Sequence, residues 1–411
     1  MKAINNFKNY KLTIMKQLKR IAAFAVAVIT LAACQKETQL IPDAEKTKPD
    51  ELTLKTIQKD DSEDGEGFGS GNKHVYILSN AVSGNEVLAY RRASNGTLTF
   101  STSYVTGGTG TGGGLGNQGA VIIDEDRDIL LAVNPGSNSI SSFKITANGD
   151  ELSLRSTVPS GGMRPVSITV HDNIVYVLNA GGMGNISGFK LSNNNHLTSI
   201  ANSTRPLSSA TAGAAQISFV NEGKVVAITE KATNKIITYT INEWGVPGMM
   251  HSITSSTATP FGFEVGGNGN IFVSEAAGGA AGASKLSSYH INNNGTISLL
   301  TGSVGANQSA ACWVVITNNG KYAYTTNTAS NNLTNFDINR NTGAISVNTA
   351  IAATSDIGPI DAALSKNSKF LYVLNQGSHS IGVYSVANNG GLSNLQTVPG
   401  LPAGANGLAA R

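Results

Sequence analysis

Cysteine and charge are both scarce in this chain. Two of its 411 residues are cysteine, which is too few for a disulfide framework or for a cysteine-based metal site. Charged residues make up 13% of the sequence, and the formal net charge is +3. Residues 1–33 carry six Lys and Arg and no acid, so removing them leaves a net charge of −3. No basic patch remains that would indicate a nucleic-acid partner.

The motifs of several enzyme classes are absent as well. The sequence has no G-x-S-x-G, no H-E-x-x-H and no P-loop lysine. Its six histidines lack the spacing of metal ligands. A G-x-G-x-x-G occurs at residues 108–113, but no helical pattern follows it, so we interpret the glycine-rich residues 107–117 as a long loop. We therefore expect no metal and no cofactor.

The N-terminal segment has the pattern of an exported lipoprotein. A basic stretch, Met15–Arg20, precedes an apolar run of eleven residues, Ile21–Leu31, which is too short to span a bilayer. The sequence Leu-Ala-Ala-Cys at residues 31–34 resembles the bacterial lipobox, whose cysteine is acylated. An ordinary secretion signal or a short anchor helix is the alternative. We expect residues 1–33 to be a lipoprotein signal peptide and Cys34 to be lipidated.

Residues 34–73 are polar and acidic and contain few apolar side chains to bury. This composition predicts a disordered tether between the lipid and the folded domain. Asp60, Ser62 and Asp64 resemble the start of a calcium-binding loop, but Gly71 stands where the bidentate glutamate would be required, which excludes an EF-hand. We expect a lipoprotein of the cell envelope, in the outer membrane, with either its periplasmic or its surface face as the location.

Residues 74–411 contain seven copies of one strand–turn–strand phrase. The clearest copy is Phe370–Asn375, a short turn, and then Ile381–Val386. The interval between successive copies is close to fifty residues, which is the size of one four-stranded propeller blade. The phrase begins at Val75, Ile129, Ile174, Val225, Ile271, Tyr322 and Phe370.

The repeat predicts an all-β fold, a seven-bladed β-propeller. The first copy lacks an inner strand before it, whereas residues 404–411 have the inner-strand pattern with nothing after them. We expect this C-terminal strand to complete blade one and close the ring, which removes the exposed sheet edges. A β-sandwich or an open solenoid is the alternative, and the complementary ends argue against both.

The sequence Leu-Tyr-Val-x-Asn-x-Gly-Ser-x-Ser-Ile at residues 371–381 resembles the YVTN repeat of seven-bladed lactonase-like propellers, such as bacterial 6-phosphogluconolactonase and carboxymuconate cyclase. The resemblance covers residues 74–411. It implies a site in the central channel, built from a His, an Arg and a Glu of neighbouring blades. The matching positions here hold Arg164, the pair Ala215 and Gln216, and Lys231, so the catalytic set is largely unmatched.

Two glutamates stand in the column that holds Asn in the other five copies. Glu230 and Glu275 belong to adjacent blades, so we expect them near each other at one rim of the channel, where they could bind a cation or sugar hydroxyls or act as acid and base. In the alternative, each caps a strand end as Asn does. The candidate catalytic residues are thus Glu230 and Glu275, and the candidate ligand-binding residues, at or near the starts of inner strands, are Arg164, Gln216, Trp313 and Asp361.

Two functional classes remain open. The first is a membrane-anchored extracytoplasmic monomer that binds a ligand or a protein, and the unmatched catalytic positions favour it. The second is a divergent lactonase or carboxymuconate-cyclase-like enzyme acting on a small sugar acid or lactone in the channel.

Overall fold

The computed structural model describes residues 73–146 and 151–411. Within these ranges the strands form seven antiparallel sheets arranged as the blades of a β-propeller. The signal peptide, Cys34 and almost the whole of the tether lie outside the described residues. In the described part of the chain, no helix has the length and the apolar character needed to cross a membrane.

Blades one to three contain strands β1 to β12. Blade one has β1 (Lys73–Leu78), β2 (Glu86–Arg92) and β3 (Leu98–Val105). Blade two has β4 (Val121–Asp124), β5 (Ile129–Asn134), β6 (Ser139–Ile145) and β7 (Leu152–Pro159). Blade three has β8 (Met163–His171), β9 (Ile174–Gly181), β10 (Asn185–Leu191), and two short outer pieces, β11 (Leu197–Ser199) and β12 (Arg205–Pro206).

Blades four to seven contain strands β13 to β28. Blade four has β13 (Ala214–Val220), β14 (Val225–Glu230), β15 (Lys235–Ile241) and β16 (Pro247–Thr254). Blade five has β17 (Pro260–Val265), β18 (Asn270–Glu275), β19 (Lys285–Ile291) and β20 (Ile297–Gly305), with 3₁₀ turns at Gly267–Gly269 and Ala277–Gly279. Blade six has β21 (Ala311–Ile316), β22 (Tyr322–Asn327), β23 (Asn332–Ile338) and β24 (Ile345–Thr354). Blade seven has β25 (Pro359–Leu364), β26 (Phe370–Asn375), β27 (Ser380–Val386) and β28 (Leu392–Pro399).

The last strand, β29 (Asn406–Ala410), closes the ring. It pairs antiparallel with β1, with Val75 opposite Ala410 and Ile77 opposite Leu408. The sheet order of blade one is therefore β29-β1-β2-β3, which confirms the predicted closure by the C-terminal strand. The inner strands of successive blades lie side by side around a central channel, and β25 of blade seven contacts β29.

Packing between the blades forms the core. The second strands are buried on both faces, and all six residues of β5, β14 and β18 are buried. One aromatic side chain from the third strand of every blade is also buried. Burial of an aromatic ring between neighbouring sheets strongly stabilises their packing. These residues are Tyr90, Phe143, Phe189, Tyr239, Tyr289, Phe336 and Tyr384.

Candidate functional site

Gln118 divides the central channel. It lies just before β4 of blade two, and its backbone N–H donates to the Ala215 carbonyl of blade four, 3.2 Å away. Its side-chain Nε2 donates to the Val314 carbonyl of blade six at 2.9 Å, and the Val314 N–H donates to Gln118 Oε1 at 3.2 Å. The side chain thus pairs with the backbone of a strand on another side of the ring, and two separate mouths result.

The two mouths differ because each inner strand begins at one and ends at the other. Near the strand starts lie two cationic and two aromatic side chains, and we call this end the basic mouth. Near the strand ends lies a cavity of about 730 Å³ whose walls carry six carboxyl groups, and we call this end the acidic mouth. The basic mouth is defined by Arg164, Lys231, Phe261 and Trp313, and the acidic mouth by Asp124, Glu125, Asp126, Asp172, Glu264 and Asp361.

Lys231 is the central charged group of the basic mouth. It directly follows β14, and its Nζ donates a hydrogen bond to the Gly116 carbonyl. The same Nζ lies 4.6 Å from the centroid of the Phe261 ring, a cation–π arrangement. Burial lowers the pKa of Lys231 to about 7, and repulsion from the Arg164 guanidinium acts in the same direction. A lysine in this state is available as a base near neutral pH.

Aromatic rings form the floor beneath Lys231. The Phe261 and Trp313 rings are both buried, with centroids 5.0 Å apart. The Trp313 Nε1–H and the Asn117 Oδ1 are buried and have no hydrogen-bond partner among residues 73–146 and 151–411. A buried polar group without a partner is costly, so each of these atoms gains from a hydrogen bond to a ligand. The floor therefore offers one unused donor and one unused acceptor.

Arg164 stands at the edge of the basic mouth. It is the second residue of β8, it is exposed, and its backbone has a φ of 53°. Its N–H donates to Asn138 Oδ1 at 2.7 Å, which fixes this conformation at the start of the strand. Within residues 73–146 and 151–411 the exposed guanidinium has no hydrogen-bond or ion-pair partner, so it can bind an anion from solvent.

Glu230 is fully buried at the end of β14. Its carboxylate accepts from the Ser208 N–H at 2.8 Å, from the Ser208 hydroxyl, and from the Thr233 hydroxyl at 2.5 Å. These donors belong to the connection that enters blade four and to the turn after β14. The contacts agree with the interpretation of Glu230 as a strand-end cap.

Glu275 is also fully buried, at the end of β18, but its donors are different. It accepts from the hydroxyls of Ser255 and Ser287, both at 2.7 Å, and of Tyr289, at 2.8 Å. It shares no partner with Glu230 among the described residues, and neither carboxylate lines the acidic mouth. A catalytic role for the pair stays a prediction, and these contacts give it no support.

The acidic mouth contains two carboxyl groups whose pKa values are raised by burial. Burial raises the pKa of Glu264 to about 7, although its carboxylate accepts the Val265 N–H at 3.0 Å. Asp361 is 2% exposed, and burial raises the pKa of its carboxyl well above the usual range, against a 2.8 Å hydrogen bond from the Ala362 N–H. Carboxyl groups of this kind can be neutral hydrogen-bond donors near neutral pH.

The structure separates the predicted ligand-binding residues. Arg164 and Trp313 lie at the basic mouth, whereas Gln216 and Asp361 line the acidic mouth. The Gln216 amide is already used, because its Oε1 accepts the Phe263 N–H at 2.6 Å and its Nε2 donates to the Phe263 carbonyl at 2.8 Å. In the described part of the chain, no three His, Cys, Asp or Glu side chains come together as a metal site would require.

Sequence reasoning did not nominate Lys231 as a functional residue. A signal was present, since Lys231 occupies the position of the glutamate in the resembling enzymes. The burial that lowers its pKa depends on Gly116 and Phe261, which come from other blades, and no spacing along the chain indicates that they meet.

Comparison with protein families finds one match. A family model described as a lactonase, seven-bladed beta-propeller, matches residues 66–202 and 283–405, more than half of the chain. The unmatched residues 203–282 contain Lys231 and Phe261. The match is therefore interrupted across the segment that supplies two of the four residues of the basic mouth. No curated protein gives a significant match.

Solved structures with the same fold include three bacterial proteins with related descriptions. A putative 6-phosphogluconolactonase from Bacteroides fragilis is 14% identical, with a TM-score of 0.67 over 84% of this chain and 100% of that one. A putative 6-phosphogluconolactonase from Bacteroides uniformis is 17% identical, with a TM-score of 0.65 over 82% and 99%. A periplasmic gluconolactonase from Pseudomonas aeruginosa is 14% identical, with a TM-score of 0.62 over 81% and 98%. At such identities the likeness is one of fold.

Proposed function

Since the chain belongs to the seven-bladed lactonase propeller family, we propose that it hydrolyses the lactone of a small carbohydrate acid at the basic mouth. The observation that carries this proposal is Lys231, a lysine with a pKa of about 7 at the position of the family glutamate. The descriptions of the three structural relatives, which name gluconolactonase activities, favour the same substrate class.

Lys231 acts as the general base in this proposal. Its free amine takes a proton from water while the water oxygen adds to the lactone carbonyl carbon. The ring C–O bond then breaks, and the leaving ring oxygen takes the proton back from the Lys231 ammonium, which gives the open hydroxy acid. Both halves of the step need a group that is protonated and deprotonated with similar ease at the working pH, and a pKa of about 7 meets that need.

Arg164 supplies positive charge for the phosphate of a phosphorylated lactone, since the carboxyl group of the parent acid is bound in the lactone ring. The resembling enzymes have an Arg-His pair where this chain has Ala215 and Gln216. Among the described residues that define the basic mouth, the cations are Arg164 and the protonated fraction of Lys231. The Trp313 Nε1–H and the Asn117 Oδ1 remain as a donor and an acceptor for substrate oxygens and hydroxyls.

The test compares Lys231→Met with a matched surface variant. Glucono-lactone and its 6-phosphate are supplied as substrates, and the release of protons at pH 6–7 measures their hydrolysis. The rate of the spontaneous reaction in buffer is subtracted. Loss of a general base costs about 10²–10⁴-fold in rate, so we expect Lys231→Met to lose most of the activity. Lys224→Met removes a lysine whose side chain is 55% exposed and should leave the rate unchanged.

A rate equal to that of buffer for the parent protein on both lactones, or equal rates for the parent and Lys231→Met, would contradict the proposal. The second candidate, a binding module, is favoured by the replacement of the family Arg-His pair with Ala215 and Gln216. Calorimetry with gluconate distinguishes the two, because binding without turnover supports the module.

We also propose that Cys34 anchors the domain to a membrane through a lipid. The lipobox-like sequence at residues 31–34 supports this. Cys34→Ser should move the protein from the membrane pellet to the supernatant in cell fractionation. A Cys34→Ser protein that stays in the pellet, with the parent's mass, would contradict the lipid anchor.

A further inference from the structure

The glycine-rich residues 107–117, which we call the strap, cross the basic mouth. The strap leaves blade one after β3 and reaches β4 of blade two. On its way Gly110 N–H donates to the Ala81 carbonyl of blade one, at 2.8 Å, and the Thr109 carbonyl accepts the Gly136 N–H of blade two, at 2.9 Å. Near its end, Gly116 accepts the hydrogen bond from Lys231 of blade four. The proposed function uses Asn117 at the end of this segment and gives residues 107–116 no role.

Asn80 holds the strap at blade one. Its Oδ1 accepts the Thr111 N–H at 2.9 Å, its Nδ2 donates to the Gly113 carbonyl at 2.7 Å, and its own carbonyl accepts the Gly112 N–H at 2.8 Å. In blades six and seven, the side chain of the Asn in this column bonds within its own blade. Asn327 is one example, since its Nδ2 donates to Asn332 Oδ1 at 2.8 Å. The repeat Asn of blade one therefore serves the strap.

Glycine is required where the strap packs. A Cβ at Gly110 would lie 2.1 Å from the backbone carbon of Asn80, and a Cβ at Gly136 would lie 2.1 Å from the Gly110 carbonyl oxygen. A Cβ at Gly404, before β29, would lie 2.9 Å from the Gly112 backbone. These approaches are closer than any side chain allows. The strap is therefore seated against backbone on several sides, unlike a loose surface loop.

We propose that the strap controls access to the basic mouth, with Asn80 as its anchor and the bond between Lys231 and Gly116 as its latch. This inference rests on the proposed function, which is the reason that a substrate must reach Lys231. The strap covers the amine that is to act as the base, so a substrate reaches Lys231 when the strap moves. A substrate and its attacking water that contact Lys231 Nζ replace the hydrogen bond that holds Gly116.

The experiment compares Asn80→Ala with Asn327→Ala. The two asparagines are each 1% exposed and belong to the same column of the repeat, but Asn327 lies in blade six and does not contact the strap. Amide hydrogen exchange of residues 107–117 is measured by mass spectrometry. In the same proteins, acetylation of Lys231 by a limiting amount of acetic anhydride at pH 7 is measured relative to that of Lys224.

Because the anchor bonds are local, we expect Asn80→Ala to speed exchange of the strap amides by about tenfold or more and to raise the relative acetylation of Lys231. Asn327→Ala should change neither, even if it lowers the melting temperature equally. Strap exchange or Lys231 acetylation in Asn80→Ala that equals the parent value, or equal changes in both variants, overturns the inference. Neither readout requires turnover, so a failure of the proposed lactone hydrolysis would be recognised separately.

Discussion

The two mouths of the channel are built from the same seven inner strands and have opposite chemistry. Arg164 at the start of β8 and Lys231 just after β14 lie at one mouth beside aromatic rings, whereas the other mouth presents carboxyl groups around a cavity of about 730 Å³. Gln118 separates them by bonding to blades four and six. The comparison shows that the repeat determines where the strands run, while a few residues at their ends determine the charge of each mouth.

Burial acts on the two mouths in opposite directions. It lowers the pKa of Lys231 at the basic mouth and raises the pKa of Glu264 and Asp361 at the acidic mouth, because the charged form of each group loses solvation. Lys231 and Glu264 both reach a pKa of about 7. Each mouth can therefore exchange a proton near neutral pH, and a ligand of opposite charge would favour the charged form.

Removal of β29 should disrupt both mouths, because this strand is part of the channel wall that they share. Deleting residues 404–411 removes the strand that pairs with β1 and exposes the β1 edge. We expect a loss of several kcal/mol, a large part of the stability of a typical domain. Thermal unfolding followed by circular dichroism measures it. A melting temperature equal to that of the parent would show that the ring does not need this strand.

Glu275 tests whether any function lies outside the two mouths. Glu275→Ala leaves the hydroxyls of Ser255, Ser287 and Tyr289 without their acceptor, so we expect a loss of about 2–4 kcal/mol in the free energy of unfolding. The kcat/KM for lactone hydrolysis should be unchanged. The exposed Glu243→Ala provides the control. A variant with parental stability but reduced kcat/KM would instead place Glu275 in the active site.

Titration sharpens the comparison, since the two mouths should respond to pH in opposite ways. The folded pKa of Glu264 lies above its ordinary value, so the parent loses stability as pH rises through about 7. Glu264→Gln cannot ionise, and we expect it to gain about 1–3 kcal/mol over the parent above pH 7 and almost nothing below pH 5. Lys231→Met should show its largest gain below pH 7, and this gain should fall as pH rises toward 10.5.

Urea unfolding at several pH values between 5 and 9 measures both trends. Glu243→Gln, which removes an exposed carboxylate, is the control for the acidic mouth and should follow the parent at every pH. Parallel pH profiles for Glu264→Gln and Lys231→Met would refute the opposite effects of burial on the two mouths.

Arg164 gives the smallest expected effect. Arg164→Ala removes an exposed cation from the basic mouth, so we expect about a fivefold rise in the KM for a phosphorylated lactone, or about 1 kcal/mol, with little change in kcat. Initial rates at low ionic strength measure it. Arg155→Ala, an exposed arginine on an outer strand, should leave KM as it is. Equal KM values for Arg164→Ala and the parent would remove Arg164 from the anion site.

The fold could be predicted from the sequence because it depends on a repeated pattern. The repeat phrase that starts at Phe370 coincides with the start of β26. The inner-strand pattern of residues 404–411 contains β29, which pairs with β1. Each copy carries the same local preference for strand and turn, so the copies support one another. Closure of the ring could be predicted because blade one lacks an inner strand at its start and the C-terminus has an additional one.

The candidate site could be predicted only in part, since it depends on contacts across the ring. The column of the repeat identified Glu230 and Glu275 as unusual, but their partners, such as Ser208 and Ser255, lie in connections between blades where the repeat gives no information. Gln118 bonds to Val314, 196 residues away, and nothing in either local sequence indicates this. Side-chain contacts of this range decide which groups are desolvated, and therefore which become reactive.

The pairing of β29 with β1 also determines when the ring can form during folding. Val75 and Ala410 come from the two ends of the described chain, so their pairing requires closure of almost the entire length, which is slow compared with the local hairpins of the other blades. Six blades can assemble from neighbouring segments while the first waits with three strands and an open edge. The ring with an open first blade would then be the long-lived folding intermediate. Its exposed β1 edge would make it the form most susceptible to proteolysis and aggregation.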